Sequence, residues 1–182
     1  MKTPILETER LILRPITVAD AEEIYTNWAS DPDVAIYMTW STHPNVEVTK
    51  GWLTEVEKGV DSDTGYDWCF VRKSDNKIIG SGGLYYKEAH DCFDLGYNTM
   101  KECWRQGYTT EAAGAMAEFA FKTLKQTKIC ACHAKPNPNS GKVMEKLGFY
   151  YVQDGAFDSI DGTKHYETRE YVLEAANFKK PR

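Results

Sequence analysis

Nowhere in the 182 residues is there an apolar run long enough to cross a membrane, and the opening Met1-Lys2-Thr3-Pro4 lacks a secretory core. The expectation is a chain that stays off the bilayer. Positive charge is in short supply too: 22 Lys and Arg face 27 Asp and Glu, a net of −5. General nucleic-acid binding wants a basic face, so that class is set aside. A cationic substrate suits this balance, weakly. Five cysteines, an odd number without framework spacing, predict reduced thiols and a cytoplasmic location. No G-x-x-x-x-G-K-[ST] occurs, which excludes a P-loop. Repeats, low-complexity tracts and linkers are missing as well. The simplest organisation is one domain over 1–175, followed by a loose basic tail over 176–182.

What is present reads as alternating strands and helices. Leu11, Leu13 and Ile16 mark a first strand, ended near Pro15. Thr17-Val18-Ala19-Asp20 resembles a capping box, and Ala21, Ile24, Tyr25 and Trp28 then fall on one helical face. A second helix is expected over Val46–Lys58. Asp67–Arg72 and Ile78–Tyr86 form a hairpin around the Ser74–Lys77 turn. In the next strand Phe93, Leu95 and Tyr97 alternate with Asp94, Gly96 and Asn98 on the other face. Ala113, Met116, Ala117, Ala120 and Leu124 stripe a central helix. A strand over Lys128–Lys135 follows, then a helix over Asn139–Leu147 stopped by Gly148. Strands over Phe149–Phe157 and His165–Leu173 are joined by an Asp161-Gly162 turn. The order β-α-α-β-β-β-α-β-α-β-β predicts a mixed α/β (α+β) layer fold.

One segment carries more chemistry than the rest. Trp104-Arg105-Gln106-Gly107-Tyr108-Thr109-Thr110 leads from a strand into an alanine-rich helix. A loop of this kind leaves several N–H groups without partners at the positive end of a helix dipole, which suits a phosphate or diphosphate. Gly107 lets a ligand approach the backbone without a Cβ in the way.

With E-T-E-R-L-I-L-R-P (Glu7–Pro15), I-I-G (Ile78–Gly80), D-L-G-Y (Asp94–Tyr97), W-R-Q-G-Y-T-T-E-A (Trp104–Ala112) and N-P-N-S-G-K-V-M-E-K-L-G-F (Asn137–Phe149), the chain resembles the GNAT superfamily of acyl-coenzyme A-dependent N-acetyltransferases. More narrowly it resembles the Rim-type branch, which acetylates N-termini of ribosomal proteins. The resemblance implies a GNAT fold with a central, mostly antiparallel sheet of about seven strands and four helices. It implies acetyl-coenzyme A as cofactor, its diphosphate wrapped by Trp104, Arg105, Gln106, Gly107, Tyr108, Thr109 and Thr110. Asn137 and Ser140, with backbone groups of Tyr97 and Thr99, would hold the pantetheine arm. Thr109 stands where the superfamily usually has Gly or Ala, which leaves its N–H available and adds a hydroxyl.

The implied reaction is attack of a neutral amine on an acetyl thioester, so a proton must leave the nitrogen and one should reach the departing sulfur. A lysine amine near pKa 10.4 is seldom neutral at pH 7, whereas an α-amine near 7.7–8.0 is neutral roughly a tenth of the time. Asp94 is the candidate base, acting through water. Glu111 is the alternative, though a carboxylate in the first helical turn commonly serves the dipole. The superfamily's usual acid is a tyrosine at the position of Met144; Ser140 is the substitute, and a helix-capping role fits it equally. Cys130-Ala131-Cys132-His133 imitates a metal cluster, yet a strand points the two cysteines and the histidine to opposite faces, so no metal is expected. Tyr37, Trp40, Tyr85, Tyr86 and Tyr166 could wall an acceptor cleft.

The function this supports is N-acetyl transfer to the α-amine of a protein or peptide, by a monomer or homodimer. Two rivals remain open: transfer to a small amine (polyamine, amino acid or aminoglycoside), and a non-catalytic acyl-coenzyme A sensor.

Overall fold

The computed structural model describes residues 2–59 and 62–181. Its strands are β1 (Leu6–Glu7), β2 (Leu11–Pro15), β3 (Gly65–Arg72), β4 (Lys77–Lys87), β5 (Cys92–Thr99), β6 (Lys128–Ala134), β7 (Tyr150–Asp158) and β8 (His165–Glu174). The helices are α1 (Ala21–Ile24), α2 (Pro32–Ala35), α3 (Val46–Lys58), α4 (Tyr108–Lys122) and α5 (Pro138–Leu147). All eight strands join one sheet in the order β1-β2-β3-β4-β5-β6-β8-β7. Every pairing is antiparallel except β5 with β6.

The sheet has one strand more than expected. β1 is only two residues long, paired Leu6↔Leu13 and Glu7↔Ile12, too short to show a period in sequence. The expected helix from Ala21 to Trp28 is also interrupted. α1 passes into a π turn over Tyr25–Ala29, with the Ser30 N–H donating to the Tyr25 carbonyl at 3.2 Å. The buried face survives this change, since Ala21, Ile24 and Trp28 are all at most 1% exposed. α2 is the added helix: Pro32 opens it, and the Asp31 carboxylate caps it by accepting from the Asp33 N–H.

Cross-strand alternation puts Leu11, Leu13, Tyr66, Trp68, Phe70, Leu84 and Leu95 into a buried cluster, and α4 lays Ala112, Ala113, Met116, Ala117 and Ala120 on it. Alanines let the helix axis sit close to the sheet, and this fixes where the N-terminus of α4 lies relative to β5.

The segment after Glu174 does not behave as a loose tail. The Lys179 N–H donates to the Leu147 carbonyl at 2.9 Å, Phe178 packs on Phe121, and Lys180 pairs with Glu118 at 2.8 Å. Arg182 lies outside the described residues.

Candidate active site

β5 is the axis of the site. It pairs with β4 along its whole length, from Cys92 to Thr99, but meets β6 only at Phe93↔Ile129 and Asp94↔Cys130. Beyond Asp94 the β5–β6 pairing ends, and among the described residues the Leu95–Thr99 edge has no strand beside it. An open strand edge offers backbone donors and acceptors to an extended ligand.

The N-terminus of α4 stands next to that gap. Gly107 is its N-cap, at φ +84°, and no side chain caps the first turn. The first helical bond described there runs from the Glu111 N–H to the Gly107 carbonyl at 3.0 Å. Arg105 also has positive φ, +62°, so the loop turns sharply twice within three residues. Left-handed backbone beside a helix start aims successive N–H groups into one concavity, the arrangement that holds phosphates. At Gly107 the structure has the left-handed N-cap and the helix start that the sequence predicts.

The other expected loop residues are placed with definite partners. The Trp104 indole N–H donates to the Thr99 carbonyl at 2.8 Å and so ties the loop to the end of β5. The Thr109 hydroxyl is bonded to the Thr99 hydroxyl at 3.0 Å, tying α4 to β5. The Gln106 side chain donates to the Glu102 carbonyl, and the main-chain carbonyl of Gln106 accepts from Arg10 Nη1 at 2.9 Å. Arg10 lies over the Tyr108 ring, 4.3 Å from its centroid, and brings a cation to the rim of the loop. Arg10 was not singled out from sequence. It arrives from the β1–β2 turn, about a hundred residues away, and only the packing of that hairpin on α4 delivers it.

Glu111 is removed from the list of bases. Its carboxylate accepts from the Thr8 hydroxyl at 2.6 Å, the Arg10 N–H at 2.7 Å and Arg10 Nε at 2.7 Å. Burial pushes its pKa up, but the hydrogen bonds from Thr8 and Arg10 outweigh this and hold it below the usual range. A carboxylate so occupied is a clamp between the first hairpin and α4.

Asp94 is different in kind. It lies on the face of β5 opposite Phe93 and Leu95, half-buried, and accepts no hydrogen bond among the described residues. Burial raises its pKa, with Lys87 and His90 pulling it back down and Glu170 adding to the rise. A carboxylate whose pKa is moved toward neutrality is better matched to proton removal near pH 7.

Ser140 sits on the opposite side of the strand from Asp94. Its hydroxyl donates to the Tyr97 hydroxyl at 3.2 Å rather than capping α5, and the Tyr97 hydroxyl donates to the Ser140 carbonyl at 3.0 Å. Burial raises the Tyr97 pKa and keeps that phenol protonated. The motif resemblance points only to the backbone of Tyr97, while the alternation of β5 aims its hydroxyl toward α5. Met144, at the usual tyrosine position, is 1% exposed and packed in the core. Asn137 precedes α5 as its N-cap residue, with no side-chain capping bond, so its amide remains available.

The cysteines depart from expectation. Cys92 and Cys130 form a disulfide between β5 and β6, their Cα atoms 6.3 Å apart, while Cys69, Cys103 and Cys132 are free. The parallel register Asp94↔Cys130 sets Cys92 and Cys130 diagonally on one face. Nothing in their spacing of 38 residues could show that. His133 does face away from them, its ring against Gly141 of α5. Of the aromatics proposed as cleft walls, Trp40 packs with Trp28 and His43 in the N-terminal core. Tyr86 packs edge-on against Phe93. Tyr37 and Tyr166 meet edge to face where the β7–β8 hairpin rests on the residues after α2, with the Tyr166 hydroxyl donating to the Ile36 carbonyl at 2.8 Å. No helix among the described residues is long and apolar enough to cross a membrane.

A split parallel pair beside an uncapped helix start is thus combined with a carboxylate on one face and hydroxyls on the other. Comparison with known proteins identifies the family. Residues 10–150 match the family described as Acetyltransferase (GNAT) domain. The uncharacterised N-acetyltransferase YoaA of Bacillus subtilis (strain 168) is 29% identical over 147 residues, covering 80% of this chain and 82% of its own length. Among solved structures, a GNAT-family acetyltransferase from Bacillus anthracis superposes with a TM-score of 0.78 at 23% identity, over 94% of this chain and 98% of that one. The ribosomal-protein-S5-alanine acetyltransferase of Vibrio fischeri gives 0.80 at 20% identity, over 97% and 99%; at such identities the likeness is one of fold. The chain belongs to the GNAT family and is an N-acetyltransferase.

Proposed function

We propose that the enzyme uses acetyl-coenzyme A to acetylate the N-terminal α-amine of a protein or peptide, as the ribosomal-protein acetyltransferases do. The observation that carries this reading is the placement of Asp94: a carboxylate without a hydrogen-bond partner among the described residues, on one face of β5, directly beside the point where β5 and β6 part. The bound cofactor supplies an acetyl thioester, whose carbonyl carbon the amine nitrogen attacks, forming the amide and releasing the thiol.

The residues of the chain do the rest. Backbone N–H groups from Gly107 to Thr110 would take the diphosphate, with Arg10 adding a nearby cation. The free edge of β5 would pair with the pantetheine arm, and Asn137 would bond to it from the start of α5. Asp94 receives the proton of the ammonium, directly or through a water, as the nitrogen turns nucleophilic. The Tyr97 and Ser140 hydroxyls, already bonded to each other, return a proton to the sulfur from the opposite side. The titration of the α-amine favours it as acceptor, since it needs only modest help at pH 7.

A panel of acceptors with thiol release as readout tests this. Peptides with a free N-terminus are expected to turn over, and the same peptides blocked at the α-amine are not. Tight coenzyme binding without turnover on any amine would leave only the sensor reading.

A further inference from the structure

The sheet face that carries Asp94 holds a second, unexplained construction. Asp67 of β3 stands opposite Gly83 of β4, Gly83 opposite Gly96 of β5, and Tyr85 opposite Asp94. Alternation along each strand puts all five on one face.

Tyr85 does not stand away from that face. A Cβ added at Gly83 would come within 2.7 Å of the ring carbon Cζ and 2.5 Å of the hydroxyl oxygen. The ring therefore lies across bare backbone, and its hydroxyl donates to Asp67 Oδ1. One face of the ring is covered by the sheet while the residue as a whole stays 40% exposed.

Gly96 has the reverse surroundings: a Cβ there would meet nothing within 4 Å. One glycine is bare so that a ring can lie on it. Its neighbour across the strands is bare beside open space, which Asp94 borders on the same strand.

The charge is unbalanced. Asp67 has only a neutral hydroxyl as hydrogen-bond partner, and neither Asp67 nor Asp94 forms an ion pair among the described residues. Burial raises the pKa of both, as expected of carboxylates withdrawn from water without a counter-ion. Lys87 and His90 lie near Asp94 but make no contact with it of ion-pair length.

We propose that the exposed face of Tyr85, fixed by Asp67 and bordered by Asp94, is the seat that recognises the acceptor as a primary ammonium whose neighbouring carboxylate is absent or masked as an amide. This rests on the reading of Asp94 as the base. A cation over a tyrosine face is attracted by the ring quadrupole, more so when partly desolvated. Donation of the phenol hydrogen to Asp67 adds electron density to that ring. The same two carboxylates repel an acceptor that carries its own carboxylate close by. Peptide N-termini and amino-acid amides therefore fit, and free amino acids are rejected. Asp67 and Tyr85 act as positioning and specificity residues, with proton transfer left to Asp94.

The test compares alaninamide with alanine, and Tyr85→Leu and Tyr85→Phe with the unaltered enzyme. Alaninamide should have a KM at least about 10-fold below that of alanine, and equal values would overturn the proposal. Tyr85→Leu should raise KM for alaninamide by about 5- to 30-fold with kcat little changed, and Tyr85→Phe should recover most of it because the ring remains. A KM untouched by Tyr85→Leu, in protein that still binds coenzyme A normally, also overturns it. Direct binding of alaninamide, followed by NMR line broadening, should rank the variants in the same order without any turnover. That measurement separates the two readings: Asp94→Asn retaining full thiol release removes the base, whereas the ring series decides the seat.

Discussion

The two faces of β5 are built from different kinds of atom. On the side toward α4 and α5 the site is largely main chain: the unpaired Leu95–Thr99 edge, the uncapped start of α4, and a glycine at φ +84°. On the other side it is made of side chains contributed by three strands, Asp67, Tyr85 and Asp94, lying over glycines. Main-chain sites suit what all substrates of a family share, which under the proposed function is a diphosphate and an amide-rich arm. Side-chain sites distinguish one acceptor from another. The difference teaches where substitutions should remove a property shared with the whole family and where they should only change preference.

The harshest way to break the comparison is Gly107→Glu. A β-carbon at φ +84° is strained, and the carboxylate would face the diphosphate, so coenzyme affinity should fall about 100-fold or more by calorimetry. Retained affinity would mean that the cradle lies elsewhere.

Next comes Asp94→Asn, which should lower kcat by about 100-fold or more while leaving coenzyme affinity as it was. The sign of its pH effect follows from the raised pKa. The carboxylate works when ionised, so turnover of the unaltered enzyme should decline as pH falls through that raised value, above the usual aspartate range. This decline should be missing from the pH–rate profile of the variant, and its persistence would clear Asp94 of the role.

Tyr97→Phe sharpens the other face. Losing the hydroxyl that bonds to Ser140 should reduce kcat by about 10-fold at constant KM for the amine, and Ser140→Ala should add little on top of it. Full additivity of the two would show that they act separately.

Glu111→Gln is expected to leave chemistry alone and cost about 1–3 kcal/mol of stability in denaturant unfolding. Its pKa is held low in the folded chain, so the stabilising contribution is present above the unfolded value and is lost as pH falls through the folded one. The gap between variant and unaltered protein should therefore shrink on acidification below about pH 4. A gap that is constant with pH would contradict the clamp.

The smallest expected effect is a count. Denatured without reductant, the protein should titrate three thiols, Cys69, Cys103 and Cys132, and all five after reduction. Five at the outset would dissolve the link between β5 and β6.

Much of this was legible before any coordinates. The helix starting after Gly107 could be read from a glycine, two threonines and an alanine stripe, because helix starts and glycine turns are local and leave local marks. Asp94 could be assigned to the face opposite Leu95 by a period of two. Arg10 at the rim of the Gly107 loop could not, since it reaches α4 through a hairpin whose first strand has two residues. Nor could the pose of Tyr85. It depends on which glycine of the neighbouring residues lies beneath the ring, and so on strand register.

By itself, then, the sequence determined the succession of strands and helices, the glycine turn into α4 at Gly107 and the presence of a carboxylate on the strand before it. These follow from backbone preference and side-chain periodicity within a dozen residues. Tertiary structure alone decided that Glu111 is tied up by Arg10, that Ser140 answers to Tyr97, that Cys92 meets Cys130, and that Asp67 and Tyr85 join Asp94 on one surface. Each of these pairs residues far apart in the chain. Their meeting is fixed by the order and register of the eight strands, which no local preference encodes.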